Sequence, residues 1–383
     1  MITNTYKFYV LIMTFLSIMS CNNKAIFIES SQKLSKQDSL LSIKIPPNFH
    51  SQSKFIQVLE EDSSKNILAY GSNNQIHFFC LESLSLQKST YYQQYGPEGI
   101  ATYTGFHVIN MDSVVLTSQT SVILADTYGK ILQKLDFIEW NSQHTNQPYL
   151  IFAPSRGSRN SAVRINDNIF FLSFQFDLKS DDFKNTPIGL YYNIKDNSMN
   201  EAEMKYPEFP SNYTSLSHNP TMAIKDNCLI YSFSVLDEIY LFDKTKGVTN
   251  KQNFSSFNRV SVNNISDRNS LYHQIKRPRY LSIKYDPWND VFYRIFYPGF
   301  EVSANNDDSY YFSLIATPPV FSVIIIDSEF NIIGETTMPF QHYDPYSNFI
   351  TKDGLFFGLH ENHPEFDPDY LRFARFTVEL INQ

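Results

Sequence analysis

One unit recurs six times along this chain of 383 residues: an apolar strand, a tight turn closed by Asn, Asp or Gly, and a strongly apolar second strand. A variable connection, a third strand, a short polar turn and a fourth strand follow. The first turn ends at Asn66, Asp112, Asn168, Asn227, Asp290 and Gly354, at intervals of 46, 56, 59, 63 and 64 residues. Each anchor is a residue type that tolerates the left-handed backbone of a two-residue hairpin. Asn carries much of this duty, at 33 residues against 12 Gly, while 33 Phe and 25 Tyr favour strands over helices. Third strands are expected at Gln75 to Leu81, Ser121 to Ala125, Ile188 to Asn193, Glu238 to Phe242, Phe321 to Ile326 and Tyr370 to Val378. Six four-stranded units at this spacing predict an all-β fold, a six-bladed β-propeller, in which radial packing protects the sheet edges. A seventh, degenerate blade between Phe254 and Tyr280 is the runner-up. Two β-sandwiches would not need one hairpin pattern six times.

The two ends of the repeat array complement each other. The sixth unit has its third strand and then stops at Gln383, so its fourth strand is missing. An orphan strand, Leu40-Leu41-Ser42-Ile43-Lys44-Ile45, precedes the first unit and ends at Pro46-Pro47. Unpaired strand edges leave backbone groups unsatisfied. The N-terminal strand is therefore expected to complete the last blade and close the ring.

The N-terminus reads as an export address. The first twenty residues contain no acid and one base, Lys7, followed by the apolar stretch Phe8 to Ile18, a signal-peptide core too short to span a bilayer. Ile18-Met19-Ser20-Cys21 resembles a bacterial lipobox, with Met19 looser than the usual pattern. The expected organisation is a lipoprotein signal peptide over 1–20, a flexible tether over 21–38 and a single propeller domain over 39–383. Lipidated at Cys21, the protein would be held in the cell envelope, on the periplasmic or outer-membrane side. An ordinary secretory signal with an incidental Cys is the competing account.

Several segments resemble a known family. Tyr95-Gly96-Pro97-Glu98-Gly99, Asp112-Ser113-Val114-Val115-Leu116-Thr117-Ser118 and Ala125-Asp126-Thr127-Tyr128-Gly129-Lys130 are similar to the Bacteroidota lipoproteins grouped as domain of unknown function 4221. So are Pro278 to Pro287 with Tyr293-Arg294, and the stretch from Gly334-Glu335-Thr336 to Gly354-Leu355. The resemblance runs across most of the mature chain. It implies a propeller-like envelope lipoprotein and, because its motifs are structural phrases, it transfers no functional residues.

Catalytic signatures are lacking: there is no His-Glu-x-x-His, Gly-x-Ser-x-Gly, Gly-x-Gly-x-x-Gly or phosphate loop. No cofactor is expected. His360-Glu361-Asn362-His363 offers two imidazoles as weak metal candidates, outweighed by a solvated-loop reading. Cys80 and Cys228 fall in the first and fourth blades, too far apart for a bridge, and read as free buried thiols. A net charge of −8 without a basic run argues against nucleic acid. The loops offer the clearest asymmetry. The first-to-second and third-to-fourth turns are short, whereas connections on the opposite face are long, and long loops on a rigid scaffold are where binding resides. They carry Trp140, Arg156, Arg159, Arg277, Arg279 and Tyr280, the expected binding residues for a planar or anionic ligand. Arg and Tyr capping blade ends through loop carbonyls is the competing account. The favoured function is a non-catalytic binding or scaffold protein for a peptide, glycan or partner protein. The alternative is a glycan-acting hydrolase or lyase, which would require Glu301 or Asp344 to converge with His342 and Arg279.

Overall fold

The computed structural model describes residues 31–380 apart from 48, 50–54, 63–64, 73, 97–98, 101–102, 146–147, 153–161, 176–182, 209–219, 227, 244–247, 254, 257–270 and 304–305. The expected signal peptide, with Cys21, lies outside these residues. Six antiparallel sheets follow one another around a ring, giving the six-bladed propeller. The first blade is β2 (Phe55–Asp62), β3 (Lys65–Ser72), β4 (Gln75–Cys80) and β5 (Ser85–Tyr91). The second comprises β6 (Gly105–Asn110), β7 (Ser113–Thr117), β8 (Ser121–Asp126) and β9 (Ile131–Asp136). In the third, β11 (Ala162–Ile165), β12 (Asn168–Gln175), β13 (Gly189–Asn193) and β14 (Ser198–Glu201) are joined by the short β10 (Tyr149–Ile151). The fourth has β15 (Pro220–Lys225), β16 (Cys228–Phe233), β17 (Glu238–Asp243) and β18 (Val248–Asn253), and the fifth β19 (Arg279–Asp286), β20 (Val291–Tyr297), β21 (Ser322–Asp327) and β22 (Ile332–Thr337). Three helices, α1 (Phe137–His144), α2 (Leu271–Lys276) and α3 (Asp308–Ala316), sit in the long connections. The stretch proposed for a seventh blade contributes α2 to the described residues, with no strand between β18 and β19.

The last blade, β23 (Tyr343–Thr351), β24 (Gly354–Leu359) and β25 (Tyr370–Leu380), is completed by β1 (Gln32–Lys44), as the chain ends require. Leu40 to Lys44 pair with Ala374 to Tyr370 in antiparallel register. Beyond a bulge, Gln32 to Lys36 pair with Leu380 to Phe376. The expected tether thus shortens, because residues 32–38 belong to the strand: β25 is 11 residues long, and its edge needs a partner along its whole length. Leu34 and Ile43 are the buried anchors of β1. Its N-terminal end also crosses to β22, where Ser31 N–H donates to the Ile333 carbonyl at 3.0 Å and Leu34 N–H to Thr336 Oγ1 at 2.8 Å. Gly334 makes this approach feasible, since a Cβ there would stand 2.1 Å from the Gln32 carbonyl oxygen.

Period-two alternation explains why the second strands are continuously apolar. Side chains on alternate faces of a strand enter different interfaces. In β3, Ile67 and Ala69 pack towards the second blade, while Leu68 and Tyr70 pack towards the sixth. In β12, Ile169 and Phe171 face the second blade, and Phe170 and Leu172 the fourth. A hydrophobic cluster fills each of the six blade-to-blade interfaces, so the core is itself a ring.

The hairpin anchors shift slightly from expectation. Asp290 (φ 50°) and Gly354 (φ 131°) take the left-handed conformation as anticipated. In the third and fourth blades the role passes to Asn166 (φ 56°) and Asp226 (φ 54°), upstream of Asn168 and Asn227. Asn66 and Asn168 already stand in strands. Cys80 and Cys228 are free, in blades one and four; Cys80 is buried and Cys228 half-buried.

Candidate central-channel site

The first strand of every blade faces the axis, and together these strands enclose a channel cavity of about 340 Å³. Its wall comprises Ile56, Gln57 and Val58 of β2, His107 of β6, Ala162, Val163 and Arg164 of β11, Ala223 and Ile224 of β15, Lys284 and Tyr285 of β19, and Asn348, Phe349 and Ile350 of β23. Pro287 and the half-exposed Trp288, in the turn after β19, extend it towards the hairpin face. Polar and apolar surface share the wall about evenly. Among the described residues, its ionisable side chains other than Tyr285 are all bases, His107, Arg164 and Lys284, and no carboxylate lines it. In a chain with 39 acidic and 31 basic residues, composition alone would not segregate charge this way.

Each base is held differently. Lys284 lies at the depth of the core while keeping part of its surface on the open channel. Its ammonium has no hydrogen bond or ion pair among the described residues, and burial lowers its pKa to about 8. It is therefore mostly protonated at neutral pH. His107 is driven to about 4, first by burial and then by the charge of Arg164, so its imidazole is neutral and retains one donor and one acceptor. Arg164 donates Nε to the Asn166 carbonyl at 3.0 Å, which fixes the guanidinium at the hairpin end with its terminal nitrogens unpaired among the described residues. Gln57 is tied down instead: its amide donates to the Val108 carbonyl at 2.9 Å and accepts from Val108 N–H at 2.8 Å, stapling β2 to β6. Beside the mouth, Tyr285 OH donates to Asp290 Oδ1 at 2.7 Å, and Lys225 pairs with the same carboxylate, holding its pKa at about 2.

The residues expected on the long-loop face are distributed differently. Trp140 is buried on α1, stacks between Phe137 and His144, and donates its indole N–H to the Met199 carbonyl at 3.0 Å. Tyr280 is also buried and donates to Asp237 Oδ1 at 2.6 Å. Arg279 donates to the Gln274 carbonyl at 2.7 Å with its guanidinium 4.4 Å from the Tyr297 ring centre, the capping arrangement that competed with a ligand role. Arg277 is half-buried between α2 and β19. Arg156 and Arg159 lie outside the described residues. His360 and His363 are buried, and the Nδ1 atoms accept from the Asn362 and Glu365 amides at 3.1 and 3.0 Å. Those nitrogens are thereby committed to turn formation, and the described residues contain no group of three or more His, Cys, Asp or Glu side chains placed to hold a metal. Glu301 pairs with Lys276 at 2.8 Å, and Asp344 accepts from Tyr346 N–H at 2.9 Å.

His107, Arg164 and Lys284 escaped the sequence reading because they occupy strands, not loops. Their signal is a lone base inside an apolar run, as in Phe106-His107-Val108, Val163-Arg164-Ile165 and Ile283-Lys284-Tyr285. Such a residue on an innermost strand points into the channel.

A family model described as Domain of unknown function (DUF4221) matches residues 30–337. A crystal structure of a DUF4221 member from Bacteroides vulgatus is similar, with a TM-score of 0.79 and 20% identity over 92% of this chain and 99% of that one. A candidate exported protein from Bacteroides fragilis follows with a TM-score of 0.51 and 10% identity, over 93% of this chain and 97% of that one. At these identities the likeness is one of fold. No curated protein matches the chain. Among the described residues, no helix is long and apolar enough to cross a membrane.

Proposed function

This chain belongs to the DUF4221 family, and on that premise we propose that it is an exported, lipid-anchored propeller that binds a ligand in its central channel without transforming it. The observation that carries this reading is the channel wall: a concave cavity on the propeller axis in which polar groups from several blades converge among apolar residues. The fold itself implies no chemistry. A glycan hydrolase or lyase would need an acid and a base converging on the substrate, and the described wall carries no carboxylate for the task. Export is supported by the charged, apolar and small-residue order of residues 1–21, and anchoring by Cys21 in its lipobox-like setting. The description of the Bacteroides fragilis neighbour as exported agrees with this address.

The test is native mass spectrometry of the protein purified from its own envelope without denaturation, beside an Ile224→Trp variant that narrows the channel at a half-buried wall position. Binding in the channel predicts a small-molecule adduct on the wild type and its loss from the variant. An adduct retained by a folded Ile224→Trp protein places binding elsewhere. Absence of any adduct from the wild type overturns the reading.

A further inference from the structure

We infer that the central channel recognises an oxyanion, a carboxylate or phosphate group on a small ligand, through Lys284 and Arg164 with His107 as a neutral hydrogen-bonding partner. The inference rests on reading the channel as the binding site and adds the chemical class of what enters it.

The three groups come from different blades, the second, third and fifth, yet line one cavity. A base can be retained in a channel to pair with a carboxylate, but among the described residues no carboxylate lines this wall. A cation whose hydration is restricted and that has no protein partner costs free energy. Such a group is more useful to a ligand than to the fold. Lys284 meets that description: it is deep, its ammonium is unpartnered among the described residues, and the cost of burial appears in its lowered pKa. Arg164 adds a guanidinium whose Nε is already anchored, so its remaining donors are oriented before a ligand arrives. His107 is uncharged at neutral pH and so donates to an anion without a further charge to desolvate. Trp288 at the rim offers a ring face to the body of the ligand.

The experiment titrates wild-type protein with inorganic phosphate, with glucuronate and with glucose as the neutral counterpart, by calorimetry and thermal shift. Lys284→Met and Arg164→Gln are measured in parallel. One or both oxyanions should bind and raise the melting temperature, glucose should not, and each substitution should weaken binding at least tenfold. Phosphate alone or glucuronate alone tells which oxyanion is preferred. Lys284→Met should leave the ligand-free melting temperature unchanged or raised, because it removes an unpartnered, half-buried charge; a structural role would lower it. The titration midpoint of the Lys284 ε-carbon resonance, about 8 without ligand, should move upward on saturation. Glucose binding as tightly as glucuronate, unaffected by Lys284→Met, overturns the oxyanion while leaving the channel reading standing. Failure of both oxyanions at millimolar concentration, or their binding undiminished in both variants, overturns it as well. Loss of the native adduct in Ile224→Trp judges the channel reading separately.

Discussion

Replacing Arg294 by Met should cost this propeller more than any surface change. Arg294 is fully buried in β20, yet its hydrogen-bond partners lie in the fourth blade. It donates to the Asp237 and Leu236 carbonyls, both at 2.7 Å, and to Ser232 Oγ at 2.8 Å. Its guanidinium lies 3.4 Å from the centre of the Tyr280 ring, and Tyr280 in turn holds Asp237. One cation thus ties the connection between β16 and β17 to the fifth blade. Three charge-assisted bonds at roughly 1.5 to 3 kcal/mol each would sum to about 4.5 to 9 kcal/mol. Relief of the guanidinium's own desolvation offsets part of that sum. The net loss expected for breaking a buried charged network is about 3 to 5 kcal/mol. Spread over a domain of this size, at about 2 to 4 °C per kcal/mol, the melting temperature should fall by roughly 6 to 20 °C. Met approximates the volume, so the loss reports polar contacts rather than a cavity. Arg294→Lys should fall between, because an ammonium cannot serve three acceptors in one plane. Ser232→Ala removes a single acceptor and should cost about 1 kcal/mol. Urea and thermal unfolding of the four proteins measure the series. An Arg294→Met protein that unfolds within a degree of the wild type would refute the claim that this cation staples the two blades.

Three further outcomes are expected. Ile43→Ala, at a fully buried position of the closing strand, should destabilise by about 2 to 5 kcal/mol, and removing residues through Lys44 should expose the edge of β25 and cause aggregation on size-exclusion chromatography; a truncated protein that melts like the intact one contradicts ring closure by β1. Stability should fall as pH drops from about 6.5 to about 4: His107 titrates near 4 when folded and near 6.5 when unfolded, so in that window the unfolded chain holds the extra proton. This one group contributes a slope of at most about 1.4 kcal/mol per pH unit, His77 and His363 move in the same direction, and His107→Gln should flatten the urea-midpoint profile by that one proton. Trp140→Phe should cost about 1 kcal/mol by orphaning the Met199 carbonyl, and should leave phosphate or glucuronate binding unchanged in calorimetry; loss of binding would return Trp140 to the site.

Hairpins and strand edges are local matters, and the sequence by itself determined what depends on them. An Asn, Asp or Gly that closes a turn, followed by a run such as Ile169-Phe170-Phe171-Leu172, marks a second strand wherever it occurs, so the six blades and their third strands were legible within a residue or so. A missing fourth strand at one end and an orphan strand at the other made the closure legible too. The length of β1 was not: Gln32 to Gln37 is polar because the outermost strand of a blade keeps one face in solvent, which erases the apolar signal and makes a strand read as a tether. Loop length and residue type suggested Arg279, Tyr280 and Trp140 as ligand contacts, but neither reveals whether a donor is already committed. Only the folded chain shows Arg279 at the Gln274 carbonyl and Trp140 at the Met199 carbonyl. The channel lay furthest from sequence reasoning. His107, Arg164 and Lys284 are ordinary lone bases in the one-dimensional record, 57 and 120 residues apart. Closure of the ring turns the first strand of every blade towards one axis, and that rotation, absent from any local segment, brings the three bases into a single cavity.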